Sequence, residues 1–270
     1  MRFDIITLFP DFFRGPFDHG ILERALRSGL AEVHTHDLRT FTHDRHRTVD
    51  DRPFGGGEGM VLKPQPIFEG LESLNIPSKE IRDTTKESVM LLSAQGKRFT
   101  QSTARRLASL ARVVLICGRY EGVDERVSQL LCDEELSIGD FVLSGGELAA
   151  AVVVDAVVRL LPGVLGHADS SRYESFGEGD DPTALETPGG VPRATHGSGG
   201  LLDYPHYTRP AEWRGIAIPE PLGGGDHTAI RRWRHHAALA KTLANRPDLL
   251  ANADLTDDDR EYLSSLGYTS

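Results

Sequence analysis

The sequence predicts an α/β fold with a mostly parallel sheet, followed by a small helical C-terminal domain. The first 160 or so residues alternate between short apolar runs, typical of strands, and segments with helical periodicity. This alternation stops after Pro162, where Gly, Pro, Ser, Thr and acidic residues dominate as far as Gly200. Helical spacing returns at residues 228–243 and 257–266.

The predicted elements follow one another in strand–helix order. Strands are expected over residues 2–8, 31–36, 88–93, 112–117 and 141–143. Helices are expected over residues 17–30, 64–74, 100–110, 124–131 and 147–161. Pro64 suits a first helical turn and Asp124 is a typical N-cap. The polar stretch 37–59 is too long for an idle connection in a compact domain, which indicates a functional loop.

Composition excludes several classes of protein. The 270 residues are 39% hydrophobic and 26% charged, as in globular proteins. The two cysteines, Cys117 and Cys132, are too few for a disulfide framework or a four-cysteine zinc site. We find no run of 18 apolar residues and no features of a signal peptide, so we expect a cytoplasmic protein without a membrane span.

The net charge of −10 argues at first against a nucleic-acid partner. Its distribution changes this interpretation. Residues 174–203 have six acidic and one basic residue (net −5), and residues 246–270 have six acidic and two basic (net −4). Residues 209–241 have six basic and three acidic (net +3) and contain RRWRHH at 231–236. That motif is either a solvated helix face with Trp233 in the core or a phosphate-binding surface.

Three predicted strands end in glycine-containing turns: LLSAQGK (91–97), LICGRYEG (115–122) and SIGDFVLSGGE (137–147). Parallel strands bring such ends to one edge of a sheet, where ligands bind, and glycine allows close approach of a backbone. Ordinary strand-to-helix turns are the alternative. GGGEGM (55–60) lacks the spacing of a phosphate loop, which disfavours nicotinamide and ATP chemistry.

The polar loop contains HDRHR (43–47) and DDRP (50–53). The histidine spacing does not suit zinc, and neighbouring arginines would repel a cation. Arg45, Arg47 and Arg52 are better suited to phosphate contacts.

At this point the motifs are recognisable. FTHDRHRTVDDRPFGGGEGM, LICGRYEGVDERV, SIGDFVLSGGE, PGVLGH and LDYPHYTRP occur in this order, and together they resemble the bacterial tRNA (guanine-N1)-methyltransferases, members of the SPOUT class. The resemblance runs from Met1 to about Gly179 and from Gly200 to near the end. It implies transfer of a methyl group from S-adenosylmethionine to N1 of the guanosine immediately 3′ of the anticodon in tRNA.

The resemblance also implies an organisation. A knotted methyltransferase domain, with a deep trefoil knot that binds the donor, would span residues 1–162. A flexible linker with an insertion would span 163–202, and a helical tRNA-binding domain 203–270. A homodimer would build each active site at the subunit interface. Mg²⁺ dependence is implied too, without a site.

Site residues carry over by position. The expected donor-binding residues are Leu92, Ser93, Ala94, Gly118, Tyr120, Glu121, Ile138, Gly139, Phe141, Leu143, Gly145 and Gly146. The expected substrate-binding residues are Arg45, Arg47, Arg52, Gly59, His206 and Arg209, together with the RRWRHH helix.

The chemistry needs a base and a cation. Guanine N1 carries a proton and is a poor nucleophile, so a base must remove that proton while a cation stabilises the charge on O6. Arg159 aligns with the family's catalytic arginine. Glu174 stands where the family has aspartate, and its extra methylene leaves Asp169 or Asp203, a second family acid, as alternative bases. An insertion of about 20 residues separates Gly179 from Gly200.

Two competing hypotheses follow. One is a SPOUT enzyme with another RNA target, which the PHYTRP segment and the RRWRHH helix disfavour. The other is a catalytically silent RNA-binding relative, which the change at Glu174 suggests.

Overall fold

The computed structural model describes residues 1–166, 171, 173–177 and 198–269. The chain forms two compact units, Met1–Gly166 and His167–Ser270. Within the described ranges, no helix is both long enough and apolar enough to cross a membrane.

The first unit alternates strands and helices. Its strands are β1 (Arg2–Thr7), β2 (Glu32–Asp37), β3 (Asp50–Asp51), β4 (Val61–Leu62), β5 (Glu87–Arg98), β6 (Arg112–Cys117) and β7 (Glu134–Ser137). Its helices are α1 (Arg14–Phe17), α2 (Gly20–Arg27), α3 (Pro64–Ser73), α4 (Gln101–Ala108), α5 (Glu125–Leu131) and α6 (Glu147–Val158). Short 3₁₀ turns lie at Pro10–Phe13 and Leu38–Phe41.

Five of these strands form one sheet in the order β2-β1-β6-β5-β7. All four neighbouring pairs are parallel, with Phe3 of β1 opposite Val33 of β2 and Val113 of β6. The predicted α/β class with a mostly parallel sheet is therefore confirmed. A separate antiparallel pair, β3 and β4, stands in the stretch 37–59 and just after it.

Helices cover both faces of the sheet. Alternate strand residues point to opposite faces, so Phe3 and Ile5 pack with α2, α4 and α6, while Ile6 packs with α3 and α5. Because both faces are covered, the central strand β6 is apolar from Val113 to Cys117. Because β5, β6 and β7 are parallel, their carboxyl ends lie at the same edge of the sheet.

The structure corrects one predicted strand. Phe141–Leu143 is not a strand, and Val142 is 85% exposed. The fifth strand of the sheet is β7, Glu134–Ser137, which the prediction missed because its acidic residues hide the apolar signal of Leu136. A four-residue strand at the sheet edge needs few apolar residues, so periodicity detects it poorly.

Other boundaries moved by a few residues or more. The predicted helix 17–30 is confined to Gly20–Arg27 after the short α1. β5 continues to Arg98, well beyond the predicted end. The N-cap prediction at Asp124 is confirmed, since its carboxylate accepts the backbone N–H of Arg126 at 3.0 Å.

The second unit is helical around a small core. Its elements are the hairpin β8 (Glu212–Trp213) and β9 (Ile216–Ala217), then α7 (Glu220–Gly223), α8 (His227–Asn245), a 3₁₀ turn (Pro247–Asn252) and α9 (Asp257–Ser265). Buried leucines from the segment before the hairpin, from α8, from the turn and from α9 form the core: Leu201, Leu239, Leu250 and Leu263. Asp226 caps α8, and Thr256 with Asp259 forms a capping box on α9.

Candidate active site

A cavity of about 320 Å³ lies at the carboxyl edge of the sheet in the first unit. Its walls come from the three glycine-containing segments that follow or interrupt β5, β6 and β7. All twelve expected donor-binding residues line it: Leu92, Ser93, Ala94, Gly118, Tyr120, Glu121, Ile138, Gly139, Phe141, Leu143, Gly145 and Gly146. The strand topology thus brings together residues as far apart in the sequence as Leu92 and Gly146, which are 54 positions apart.

The first wall is a bulge within β5. Leu92 pairs with Leu136 of β7, and so does Lys97, so the four residues between them leave the ladder. Gly96 crosses the backbone of β7 so closely that any Cβ would collide with Leu136. The bulge therefore turns Ser93 and its neighbours toward the cavity.

The second and third walls are locked to each other. Gly146 donates its N–H to the carbonyl of Gly118 at 2.9 Å, and Arg119 forms an antiparallel bridge with Gly145. A Cβ on Gly146 would stand 2.7 Å from the Cα of Cys117. Glycine is required here because the turn before α6 rests directly on the end of β6.

A buried carboxylate ties this arrangement to β1. Glu147 is 1% exposed and accepts the hydroxyl of Thr7 at 2.7 Å. The Arg119 guanidinium contacts the same carboxylate at 2.9 Å, donates to the carbonyl of Ser144 at 3.0 Å and stacks over Phe9. These contacts satisfy the buried charge and fix the loop that precedes α6.

Tyr120 has an unusual backbone conformation, with φ of +61°. A bulky residue there is a genuine outlier, and such outliers cluster at binding sites. Its hydroxyl bonds to Asp50 of β3; burial and that carboxylate both raise the pKa of Tyr120. The next residue, Glu121, donates its N–H to the carbonyl of Met60 at 3.0 Å. The long polar loop therefore rests against the cavity wall.

The expected substrate-binding residues of the first unit lie on that loop. Arg45, Arg47 and Arg52 are all exposed. The carboxylate of Asp44 accepts the N–H groups of His46 and Thr48 at 2.8 and 2.9 Å, so the turn is ordered. Gly59 has φ of +83°, and a Cβ there would lie 2.5 Å from the side chain of Glu121. Gly59 thus connects the polar loop that carries the three arginines to the cavity wall at Glu121.

The three expected catalytic residues are divided between the two units. Arg159 is the C-cap of α6, partly buried, with its N–H donated to the carbonyl of Asp155. Glu174 and Asp203 belong to the second unit, and Asp169 lies outside the described residues.

Within the second unit, Glu174 and Asp203 stand on segments that are bonded to each other. Asp203 donates its N–H to the hydroxyl of Ser175 at 2.9 Å, and Phe176 donates to the carbonyl of Leu201 at 2.8 Å. His206 contacts the Asp203 carboxylate at 2.9 Å and is itself exposed. Arg209, also exposed, follows in the same segment.

Gly177 is bonded to Ser198 and Gly200, which lie on the other side of the predicted insertion. Gly200 donates its N–H, and Ser198 its hydroxyl, to the carbonyl of Gly177, at 2.9 and 3.3 Å. The residues between them, 178–197, lie outside the described residues.

Comparison with known proteins identifies the family. Residues 1–252 match the family described as tRNA (Guanine-1)-methyltransferase TrmD. The chain belongs to this family. A tRNA (guanine-N(1)-)-methyltransferase of Koribacter versatilis (strain Ellin345) is 60% identical over 266 residues, 98% of each chain. Proteins of the same name from Geobacter metallireducens and Heliobacterium modesticaldum are 47% and 48% identical, each over 98% of this chain.

In this TrmD-family chain, sequence reasoning missed the residues that support the cavity. Arg119, Thr7 and Glu147 carry no glycine signal, and the Thr7–Glu147 contact joins residues 140 positions apart. The available clue was that Arg119 and Glu147 lie within two of the glycine-containing motifs, where an isolated charged residue next to a buried strand needs a partner.

Proposed function

We propose that the protein transfers a methyl group from S-adenosylmethionine to N1 of the guanosine immediately 3′ of the anticodon in tRNA. One observation carries this proposal. In a chain of the tRNA (guanine-1)-methyltransferase family, the twelve residues assigned to the donor line a single cavity. We take that cavity, rather than any phosphate loop, as the donor site.

The cavity suits S-adenosylmethionine in shape and charge. When bound, the donor supplies a methyl group on a sulfonium and therefore needs no further activation. Its adenine would lie against Leu92, Ile138 and Leu143, with backbone amides and carbonyls reading its edge. The lining carries more acidic than basic side chains, with Glu121, Glu125 and Glu135 against Arg119. That balance favours a cationic ligand.

Proton removal from N1 falls to a carboxylate of the second unit. We assign this role to Glu174, with Asp203 and Asp169 as the alternatives. The proton passes to the carboxylate as the N1–methyl bond forms and the sulfur–methyl bond breaks. Arg159 would stabilise the negative charge on O6. Bonds from Ser175 and Phe176 to the segment of Asp203 support a fixed backbone at Glu174, so the longer side chain reaches out from a defined point.

RNA binding would use the exposed Arg45, Arg47, Arg52 and Arg209 on phosphates, with His206 near a base extracted from its stack. The glycine at position 59 would let the RNA backbone approach the cavity rim. The net charge of +3 over residues 209–241 supports a tRNA-binding role for the C-terminal domain, residues 203–270.

The assembly follows the family. A homodimer with each active site at the subunit interface is supported by apolar side chains exposed on α6 and just before it, among them Val142, Leu148 and Val152. We also infer the SPOUT trefoil knot in residues 1–162, a linker over 163–202 and action in the cytoplasm, where tRNA is found. Among the described residues no cluster of His, Cys, Asp or Glu could hold a metal ion, so we assign no step to Mg²⁺.

The decisive experiment is a methylation assay on the purified protein. A tRNA with GpG at the 3′ border of the anticodon is incubated with S-adenosylmethionine, digested with nuclease and analysed by mass spectrometry. We expect N1-methylguanosine at the second G. Methylation elsewhere would favour another RNA target. RNA and donor binding without product would favour a silent relative.

Glu174→Gln tests the assigned base. We expect turnover to fall at least a hundredfold with unchanged donor affinity by calorimetry, because the amide cannot accept the proton. Asp203→Asn and Asp169→Asn are the matched variants, and full activity of Glu174→Gln with loss in either of them would reassign the base. Mixing Glu174→Gln with Arg159→Ala subunits tests the shared site: activity should return only if one intact site forms across the dimer.

A further inference from the structure

Phe54 is the most exposed large hydrophobic side chain among the described residues, at 100%. The next in order, Val142, is 85% exposed. Phe54 lies in residues 52–60, which connect β3 to β4, and three glycines follow it directly. A side chain that is fully exposed contributes no burial to the core, so the fold does not explain an aromatic ring at this position.

A tight turn holds the ring at the apex of this connection. Gly56 donates its N–H to the carbonyl of Pro53 at 3.3 Å, which leaves Phe54 and Gly55 as the two central residues of the turn. Gly55 has φ of +87°, the left-handed conformation that a type II turn requires at its third position. Phe54 therefore projects into solvent from a hydrogen-bonded turn.

The connection that carries Phe54 is attached to the wall of the donor cavity. Asp51, at its start, is paired in the β3–β4 ladder, and at its end Glu121 of the cavity wall donates its N–H to the carbonyl of Met60 at 3.0 Å. Phe54 precedes Gly59, which fits against the Glu121 side chain, by five positions. An extended chain of that length covers at most about 18 Å. The ring is therefore exposed close to the rim of the cavity.

The polar loop around Phe54 presents guanidinium groups to solvent. Its exposed arginines include Arg45, Arg47 and Arg52. By contrast, four of the five acidic side chains in residues 37–59 make contacts within the protein: Asp37, Asp44, Asp50 and Asp51. The fifth, Glu58, is exposed. An aromatic ring beside exposed guanidinium groups is a combination by which proteins contact nucleic-acid bases and phosphates together.

We propose that Phe54 fills the space that the target guanosine leaves in the base stack when it is extracted for methylation. This role rests on the proposed function, which takes the target base out of its stack to reach the donor. Extraction leaves the flanking bases without a stacking partner. An apolar ring inserted between them restores that contact and opposes the return of the guanosine. Phe54 thus contacts the bases on either side of the target, while the exposed arginines hold phosphates.

Two other occupants fit the ring less well. The donor is one, but Phe54 is not among the residues that line the donor cavity. A second copy of the chain is the other. A single aromatic ring supplies about 150–250 Å², whereas a stable interface needs about 800 Å² from each partner. The three glycines that follow Phe54 add no side chains to this apex.

Fluorescence of 2-aminopurine measures the extraction of the base directly. The analogue replaces the target guanosine in the tRNA, and S-adenosylhomocysteine, which has no methyl group to transfer, occupies the donor site. Stacked 2-aminopurine is quenched, so emission per bound RNA should rise with the wild-type protein. Phe54→Ala should reduce this rise several-fold when RNA binding, followed by anisotropy, is saturated. Phe54→Tyr, the matched variant that retains a ring, should preserve it.

Kinetics on two substrates separate this role from a structural one. On unmodified tRNA, kcat/KM of Phe54→Ala should fall about tenfold, since stacking against one base contributes about that factor. On a tRNA with an abasic residue immediately 3′ of the target, the stack is already broken, so the same substitution should have little effect relative to the wild type. Ile81→Ala truncates a largely exposed apolar side chain outside the polar loop and should change neither value. Both alanine variants should keep the wild-type melting temperature.

The outcomes distinguish this role from the proposed function. Methylation of the expected guanosine by the wild type, with full emission and unchanged kcat/KM in Phe54→Ala, would refute the role of Phe54 and leave the activity intact. Emission that depends on Phe54, without any methylated product, would refute the activity while the role stands. Weaker donor binding in the absence of RNA, or weaker self-association of Phe54→Ala, would assign the ring to the donor or to a second subunit and overturn the proposal.

Discussion

Gly146→Ala tests whether the contact between two loops sets the shape of the donor cavity. Gly146 is the N-cap of α6 with φ of −78° and ψ of −7°, a conformation that alanine adopts freely. The backbone therefore accepts the substitution, and only space opposes it. The new methyl group would lie 2.7 Å from the Cα of Cys117 and 3.2 Å from the N of Gly118. Both are backbone atoms of a buried strand end, so they cannot rotate away.

The expected magnitude follows from this overlap. Relieving it requires the turn at Gly145–Gly146 to move a few tenths of an ångström or more away from β6, which weakens the 2.9 Å bond between Gly146 and Gly118. Overpacking of this kind costs about 1–3 kcal/mol of stability. Since both loops line the cavity, donor affinity should fall about tenfold, equivalent to about 1.4 kcal/mol. Urea unfolding and calorimetric titration with S-adenosylmethionine measure the two effects.

Gly15→Ala provides the matched control. It adds the same methyl group in the first unit, but no atom lies within 4 Å of the added Cβ and the glycine is not left-handed. Its stability should stay the same or rise by a few tenths of a kcal/mol, with unchanged donor affinity. The reasoning would be refuted if Gly146→Ala bound the donor as tightly as the wild type and unfolded at the same urea concentration.

Two further substitutions probe the charges. Glu147→Gln keeps an oxygen for Thr7 but removes the charge that Arg119 contacts, so the free energy of unfolding in urea should fall by about 1–3 kcal/mol. Thr7→Ser keeps the hydroxyl and removes only a buried methyl group, so it should lower that free energy by about 1 kcal/mol. Burial, with Arg232 and His235 nearby, lowers the pKa of His236 below its ordinary value of 6.5. The unfolded chain therefore binds a proton at this position more readily than the folded chain. The free energy of unfolding should consequently decrease as the pH falls through 6.5 and below. His236→Phe keeps the 4.0 Å stack on Tyr262 and should reduce this loss of stability at low pH. Urea unfolding at about pH 7.5 and about pH 5.5 measures the difference. If the variant loses as much stability as the wild type, His236 is not the source of the loss.

Local signals explain which parts of the fold the sequence predicts well. The strand β6 contains the continuous apolar run Val113–Cys117, and α5 begins with a side-chain cap that operates within two residues. The strand β7 and the true end of β5 depend on pairing between distant segments. Leu92 and Lys97 both pair with Leu136, and no local pattern in the sequence signals that shift of register.

The same division applies to the candidate site. The glycine turns were recognisable because glycine marks close backbone approach, and the structure gathers them around one cavity. The contact of Glu147 with Thr7 could not be predicted, because it depends on the place of β1 within the sheet. A second cavity, of about 350 Å³ in the second unit, was not predicted either, since one interpretation of RRWRHH placed Trp233 in the core, whereas it lines this cavity with Tyr207.

The bonds of Ser198 and Gly200 to Gly177 explain how the chain accommodates the predicted insertion between Glu174 and Asp203, the carboxylates proposed to act in catalysis. The residues on both sides of the predicted insertion are held by main-chain groups and one serine hydroxyl. The composition of the insertion therefore does not affect the bonds that join the segment of Glu174 to the segment of Asp203. On the other side, the buried hydroxyl of Thr242 accepts the N–H of Leu202 at 3.1 Å and anchors Asp203 to α8. A loop whose ends already meet costs little more as it lengthens. Residues 178–197 contribute −3 of the net charge of −5 over residues 174–203. Acidic residues can therefore accumulate there without altering the basic segment 209–241. Net charge therefore describes the insertion and the C-terminal tail better than it describes the surface proposed to bind RNA.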